Sequence, residues 1–342
     1  MPLPSLSNLP KLAIEKIVEK SDWKSVLTLR QVCQRLRYQV DHASESSLPD
    51  SKLNLFRIAI ESNQIQIQFA YPTDPSFIHQ KYDQISYVLQ KIGRFLRQYN
   101  QGKRVEFESE HLVDMAAKDL ERILKFQKST LSEFQLFFDN DMNQAFLSFP
   151  DAINDIPKSR NQTIKTEILD LYGYQSKHFL CMLPLLDPEC LKRIDFHPPD
   201  ETPIEFDWAE IVRIYPWITV KAVNCYNSGK VPVEIIAQFS SLRLFHEQIY
   251  TAQEMDYLIT TFRKSSNFIA FNAYNRSIVP KIEVQEALWG PPMRDENHGN
   301  RWYFRMTNSN DILAVLYFDK CQIAINRRNL DRIPDGAVIR DN

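Results

Sequence analysis

The side chains of this 342-residue chain that could act as catalysts or metal ligands are scattered along it. The seven histidines stand at positions 42, 79, 111, 178, 197, 246 and 298, so none lies three or four residues from another on one helix face. The cysteines also lack the C-x-x-C spacing of zinc and redox sites. They are Cys33, Cys181, Cys190, Cys225 and Cys321. These patterns predict no metal site and no catalytic residue, and they favour reduced, mostly buried thiols.

One acidic segment begins like a calcium-binding loop. Residues 139–143 read D-N-D-M-N, which matches the first ligand positions of such a loop. However, Gln144 stands where glycine must make the sharp turn, and Pro150 stands where a bidentate glutamate is needed. A polar loop that caps a helix explains the segment better than a calcium site does.

Composition removes several classes of function. The chain has seven glycines, about 2% of its residues against the usual ~7%, and it contains no phosphate-loop, dinucleotide, nucleophile-elbow or H-E-x-x-H motif. Its formal net charge is −2, which gives no electrostatic reason to expect nucleic acid or a membrane as a partner. We therefore expect a binding protein that is not an enzyme and needs no cofactor.

The elements that must position a binding surface change in character along the chain. Apolar residues at helical spacing over residues 1–45 predict a helical module. Alternating residues at 53–60 and 65–71 predict a β-hairpin. An apolar stripe over residues 81–98 predicts an amphipathic helix.

Strand-like and helix-like segments then alternate, which is typical of parallel strands joined by crossovers. Strand-like segments begin at residues 131, 168, 191, 220, 242 and 268, and most intervals fall in the ~20–29-residue range of leucine-rich repeats. Three alternating runs after residue 301 predict an antiparallel meander. The prediction is an α/β fold with four regions: a helical domain (1–45), a hairpin plus helix that starts the α/β domain (46–110), an irregular repeat solenoid (111–285) and a β-meander (286–342).

The predicted strands share one free face. Strand periodicity directs two residues near the end of each repeat to the same side, and aromatic residues mixed with Asn, Asp and His suit protein recognition. The alternative is that these side chains pack against neighbours. In the run that starts at residue 242, the register places Phe245 inward and His246 and Gln248 outward. The predicted face consists of Phe137, Tyr172, Tyr174, Asp195, His197, Asn224, Tyr226, Asn272 and Tyr274.

The first helical segment resembles the F-box. Leu9-Pro10 matches the opening of that motif, Ile17-Val18 matches its apolar pair, and residues 29–33 (LRQVC) followed by Arg37 match its end. Most of the remaining chain resembles the FTH domain that follows the F-box in a family expanded in nematodes. The matching stretches are residues 123–138, 183–194, 214–223, 239–258, 265–271 and 302–325.

The resemblance implies a three-helix F-box that docks on a Skp-type adaptor of an SCF-type cullin–RING ubiquitin ligase, with the FTH domain binding a protein substrate. Such a protein would be cytoplasmic or nuclear. Ser21 and Ser25 stand where the family usually has leucine and aspartate, which leaves open a non-ligase interaction or sensor protein with a degenerate F-box. The apolar residues implied for adaptor binding are Leu9, Pro10, Ile14, Ile17, Val18, Val26, Leu29, Val32, Cys33 and Leu36.

Overall fold

A computed structural model describes residues 6, 9–72, 83–91, 94–99, 104–108, 112–159, 163–173, 175–198, 206–214, 220–227, 229–245, 250–274, 282–295, 299–318 and 322–341. These residues form a mixed α/β structure, as predicted. Two compact units divide it. The first comprises Met1–Gln135, Asp141–Glu167 and Pro184–Asp187, and the second comprises Leu136–Asn140, Ile168–Leu183 and Pro188–Asn342. Across these described ranges, every helix is too short or too polar to cross a membrane.

The first unit opens with three short helices, α1 (Lys11–Lys20), α2 (Trp23–Val32) and α3 (Gln34–Asp41). The Ser21 hydroxyl donates to the Ile17 carbonyl at 2.7 Å where α1 ends. Asp22 caps α2 by accepting a 3.0 Å hydrogen bond from the Ser25 amide, which satisfies a free N–H of the first turn. Inside the bundle lie five buried side chains: Ile14, Val18, Val26, Leu36 and Val40.

Trp23 joins this helical segment to the strands of the same unit. Its indole packs edge-on against Phe69 at 5.5 Å between ring centroids, and its Nε1 donates to the Tyr71 hydroxyl at 3.0 Å. Trp23 is only 5% exposed, so the helices share a core with the sheet and are not an independent appendage.

Five antiparallel strands follow in meander order. They are β1 (Leu55–Ile60), β2 (Gln64–Ala70), β3 (Asp83–Lys91), β4 (Arg94–Tyr99) and β5 (Arg104–Glu108). The β1–β2 hairpin confirms the prediction for residues 53–71. The amphipathic helix predicted over residues 81–98 is wrong, because β3 and β4 occupy this part of the chain.

Pairing with a neighbour explains the difference. Ile85 and Tyr87 are both buried and also satisfy strand alternation, and Ile85 lies opposite Ile67 of β2. A helix at this position would leave the backbone groups along the edge of β2 without β3 as their partner, so tertiary context overrides the helical stripe. The helix α4 (Leu112–Leu124) packs with α5 (Phe149–Ser159) in the same unit.

The second unit is built around parallel strands that lie side by side in chain order. They are the end of β6 (Leu131–Phe138), then β7 (Thr166–Tyr172), β8 (Arg193–His197), β9 (Ala222–Tyr226), β10 (Ser241–Phe245) and β11 (Ala270–Tyr274). The segments between β7 and β11 carry α6 (Ser176–Leu180), α7 (Trp208–Ile214), α8 (Val233–Ile236) and α9 (Ala252–Lys264).

The helices cover one face of these strands. Phe179 of α6 meets Phe196 of β8 edge-on at 5.3 Å, and Phe262 of α9 lies 6.2 Å from Phe271 of β11. The strand side chains that point toward the helices, such as Phe196 and Phe271, are fully buried, as expected for a parallel sheet packed against helices. The side chains at the alternate strand positions point away from the helices and form the opposite face of the strands.

The tail confirms the predicted antiparallel meander. After α10 (Ile282–Trp289) come β12 (Met293–Asp295), β13 (Gly299–Arg305), β14 (Asp311–Phe318) and β15 (Gln322–Asn329), with β16 (Ile339–Arg340) beside β13. β15 pairs antiparallel with β11. Trp302 is fully buried, and it meets Trp289 and Tyr317 edge-on at 5.4 and 5.9 Å.

Candidate recognition face

One ring from each of six neighbouring strands forms a continuous row on the face of the second unit opposite the helices. Successive ring centroids lie 5.7, 4.4, 4.4, 4.6 and 4.7 Å apart. Parallel strands spaced about 4.8 Å apart place residues in matching register at just this separation. We call this set the ring row. Its members are Phe137, Tyr172, His197, Tyr226, Phe245 and Tyr274.

The stacking decides what the ring row can contact. From Tyr172 to Tyr274, neighbouring ring planes are inclined by only 6 to 11°, so the rings are stacked face to face. The π faces of the interior rings are therefore covered by their neighbours, and only edges and hydroxyls point outward. Stacking of a nucleobase or a cation against these interior rings is disfavoured, whereas hydrogen bonding and edge contacts with a protein partner are available.

A second row, mostly polar, lies two residues earlier on each strand. Three of its members, Asp170, Asp195 and Asn224, are buried at 9%, 7% and 7% exposure. The Asn224 side-chain amide donates to Asp195 Oδ1 at 2.5 Å, and Arg193 Nε donates to Asp195 Oδ2 at 2.9 Å. His197 Nε2 lies 2.9 Å from Asp170 Oδ1, which ties this row to the ring row. In the second unit the row consists of Asp170, Asp195, Asn224, Arg243 and Asn272.

Charges in this second row affect the ring row. Partial burial is the largest cause that raises the pKa of the Tyr226 hydroxyl above its ordinary value, and the nearby Asp195 carboxylate is the second. Tyr226 therefore keeps its proton at neutral pH, so its hydroxyl can both donate and accept a hydrogen bond.

The structure brings most of the predicted face together. Phe137, Tyr172, His197, Tyr226 and Tyr274 lie in the ring row, and Asp195, Asn224 and Asn272 lie in the second row; Tyr174 lies outside the described residues.

The predicted register was wrong in one strand, and one acidic residue was missed. In β10, Leu242 and Leu244 are buried, so Phe245 faces outward into the ring row. In the sequence, the alternation of these two leucines could have indicated which positions of β10 point inward. His246 lies outside the described residues, as does Gln248. Asp170 was missed because the predicted register took Gly173 as the last inward position of its run, which selected Tyr172 and Tyr174 and passed over Asp170.

The residues implied for adaptor binding fall into two groups. Ile14, Val18, Val26 and Leu36 are buried inside the three-helix bundle. The other six retain exposure that ranges from partial to the 60% of Val32. Leu12 and Tyr38, which the sequence did not single out, are 69% and 60% exposed on the same helices. The six residues implied for adaptor binding that retain exposure are Leu9, Pro10, Ile17, Leu29, Val32 and Cys33.

Comparison with known protein families identifies the central part of the chain. Residues 147–288 match the FTH domain. This FTH domain contains β7 to β11 and therefore five of the six rings of the ring row. The searches of curated proteins and of solved structures found no match. The F-box interpretation of residues 1–45 and the four predicted domain boundaries stay predictions.

Proposed function

We propose that this protein is a substrate-recognition subunit of an SCF-type cullin–RING ubiquitin ligase. In this proposal the helical segment α1–α3 is an F-box that binds a Skp-type adaptor, and the FTH domain binds a protein substrate. The observation that carries it is the ring row, because it gives the FTH domain a continuous outward surface of ring edges and hydroxyls. The chain itself performs no reaction: it holds the substrate near the ubiquitin-charged enzyme and raises its local concentration.

The ring row supports the substrate half of the proposal. Six strands at a spacing of about 4.8 Å give a row of about 24 Å, which matches roughly seven residues of an extended peptide. Tyrosines supply large contact areas at a low cost in conformational entropy, as in other protein-binding surfaces. We propose that the parallel strands act as a leucine-rich-repeat-like scaffold that presents this row.

Exposed apolar side chains on the helices support the adaptor half. Leu12, Val32 and Tyr38 are large apolar residues of which more than half remains exposed in this chain, and burying them would be favourable. We propose that the adaptor covers them. The protein would then work in the cytoplasm or the nucleus, with no nucleic acid or membrane as partner.

The test is co-purification with a recombinant Skp-type adaptor. Val32→Asp places a charge in the proposed interface, and we expect it to weaken adaptor binding at least about tenfold, since a buried unpaired charge is costly. Val338→Asp is the matched control, because Val338 is 65% exposed and lies in the second unit. Equal adaptor binding by both variants would contradict the proposal.

The alternative is a non-ligase interaction or sensor protein whose helical segment no longer binds an adaptor. Ser21 and Ser25, the departures that favour it, both contribute to helix ends, with Ser25 also donating its hydroxyl to Asp22 at 2.5 Å. The departures are thus compatible with intact helices. Wild-type protein that fails to bind any Skp-type adaptor, while its helices remain folded, would favour this alternative.

A further inference from the structure

A compact group of metal-ligating atoms lies between β7 and β8. One carboxylate oxygen from each of Asp170 and Asp195 and one ring nitrogen of His197 all lie within 4.8 Å of one another. The side chains of Asp170 and Asp195 are 12% and 10% exposed, whereas the His197 side chain is 23% exposed. The group therefore combines buried oxygen donors with a route from solvent.

The contact between His197 and Asp170 is not a well-formed hydrogen bond. Their nearest atoms, Nε2 and Oδ1, are 2.9 Å apart, yet the buried Oδ1 accepts no hydrogen bond of good geometry from any described residue. Two ligands of one metal ion, each about 2.1 Å from it, lie roughly 3.0 to 3.4 Å apart without pointing at each other. The separation is therefore close to that of two donors that share a cation.

Asn224 supplies a second, independent observation. This side chain is 7% exposed, and its amide nitrogen reaches Asp195, but its Oδ1 is buried and has no hydrogen-bond partner among the described residues. Leaving a buried amide oxygen unsatisfied costs about 1–3 kcal/mol. A metal-bound water molecule near Asp195 would satisfy this oxygen.

Electrostatics also favours a divalent cation. Two carboxylates buried this close together repel each other, and Arg193, whose Nε lies 2.9 Å from Asp195, balances only one of them. A doubly charged ion would balance the other.

We propose that Asp170, Asp195 and His197 bind a divalent transition-metal ion. One imidazole nitrogen with two carboxylate oxygens is compatible with zinc, which is also bound more tightly than manganese or iron by such sites. Because His197 stacks between Tyr172 and Tyr226, the ion would fix the middle of the ring row. The site does not depend on ligase function.

The test is calorimetric titration of Zn²⁺ into the full-length chain after treatment with a chelator. We expect one high-affinity Zn²⁺ per chain and a higher melting temperature with the metal. His197→Gln and Asp170→Asn should each weaken zinc binding at least about tenfold. Asp311→Asn is the matched control, because Asp311 pairs with Arg327 at 2.7 Å on β14 and β15, apart from these ligands, and it should bind zinc like the wild type.

Zinc binding that is absent in the wild type, or unchanged in His197→Gln, would overturn the proposal. If both site variants fail to fold, X-ray absorption at the zinc edge of the wild type decides. A first shell of only nitrogen and oxygen at about 2.0–2.2 Å supports the site, and a sulfur shell at about 2.3 Å overturns it by assigning zinc to cysteines.

Discussion

His178 is a titratable residue placed inside the core of the second unit. Its ring is 1% exposed and stacks on Phe138 at 4.3 Å between centroids. Burial, with a smaller contribution from the charge of Lys177, lowers the pKa of His178 to about 4. The folded protein therefore resists protonation of this ring at a pH where the unfolded chain accepts it.

We predict that His178 makes stability depend on pH between its unfolded pKa of about 6.5 and its folded pKa of about 4. The unfolded state binds more protons in this window, so the free energy of unfolding should fall by up to about 3 kcal/mol as the pH drops through it. Urea unfolding at pH 7.5, 6 and 4.5 measures this change. The His178→Phe variant keeps the stacking on Phe138 but cannot be protonated, so it should lose less stability over the same range. Parallel curves for the two proteins would show that His178 is not responsible.

At the residue scale, sequence patterns predict most of the ring row but not the group of metal-ligating atoms. The rings of five strands were predicted because each repeats at the same strand position. The group of Asp170, Asp195 and His197 was not predicted, since Asp170 comes from a different strand and lies more than twenty positions before the other two in the chain. Only the register of β7 against β8, in which Tyr172 lies opposite His197, brings them together.

At the scale of elements, two glycines have similar backbone conformations but differ in the space that surrounds them. Gly299 and Gly336 both have positive φ, +76° and +81°, which disfavours any other residue. A Cβ on Gly299 would lie 2.2 Å from the Tyr317 carbonyl oxygen across the β13–β14 pair, whereas one on Gly336 would meet nothing within 4 Å.

We therefore predict that Gly299→Ala destabilises the protein more than Gly336→Ala. The second change should cost about 1 kcal/mol through backbone strain, and the first should cost about 3 kcal/mol or more because the strands must also move apart. Thermal melts of both variants measure the difference. Equal losses would mean that the close approach of Gly299 to β14 is not maintained in solution.

Most elements could be predicted from local patterns. The β1–β2 hairpin, the start of β6 and the final meander lie within a few residues of their predicted bounds, because each carries its own periodicity and turn residues. Residues 81–98 could not be predicted in this way. Their apolar positions satisfy both helical and strand spacing, and only the free edge of β2 selects the strand.

At the scale of the whole molecule, two different surfaces are proposed to perform two tasks. Exposed apolar residues on α1–α3 are proposed to bind an adaptor, and the ring row of the FTH domain is proposed to bind a substrate. Residues 147–288 match the FTH domain, while both partners are inferred from the chemistry of the surfaces.

The most direct test of this two-surface account is quantitative co-precipitation from cells treated with a proteasome inhibitor. It compares the wild type with Val32→Asp and with a Tyr172→Ala/Tyr274→Ala double variant, each checked for folding by circular dichroism. We predict that Val32→Asp loses the adaptor but keeps the captured substrates, and that the double variant keeps the adaptor but loses the substrates. Loss of both partners by either folded variant would contradict the two-surface account. Retention of both partners by both variants would also contradict it.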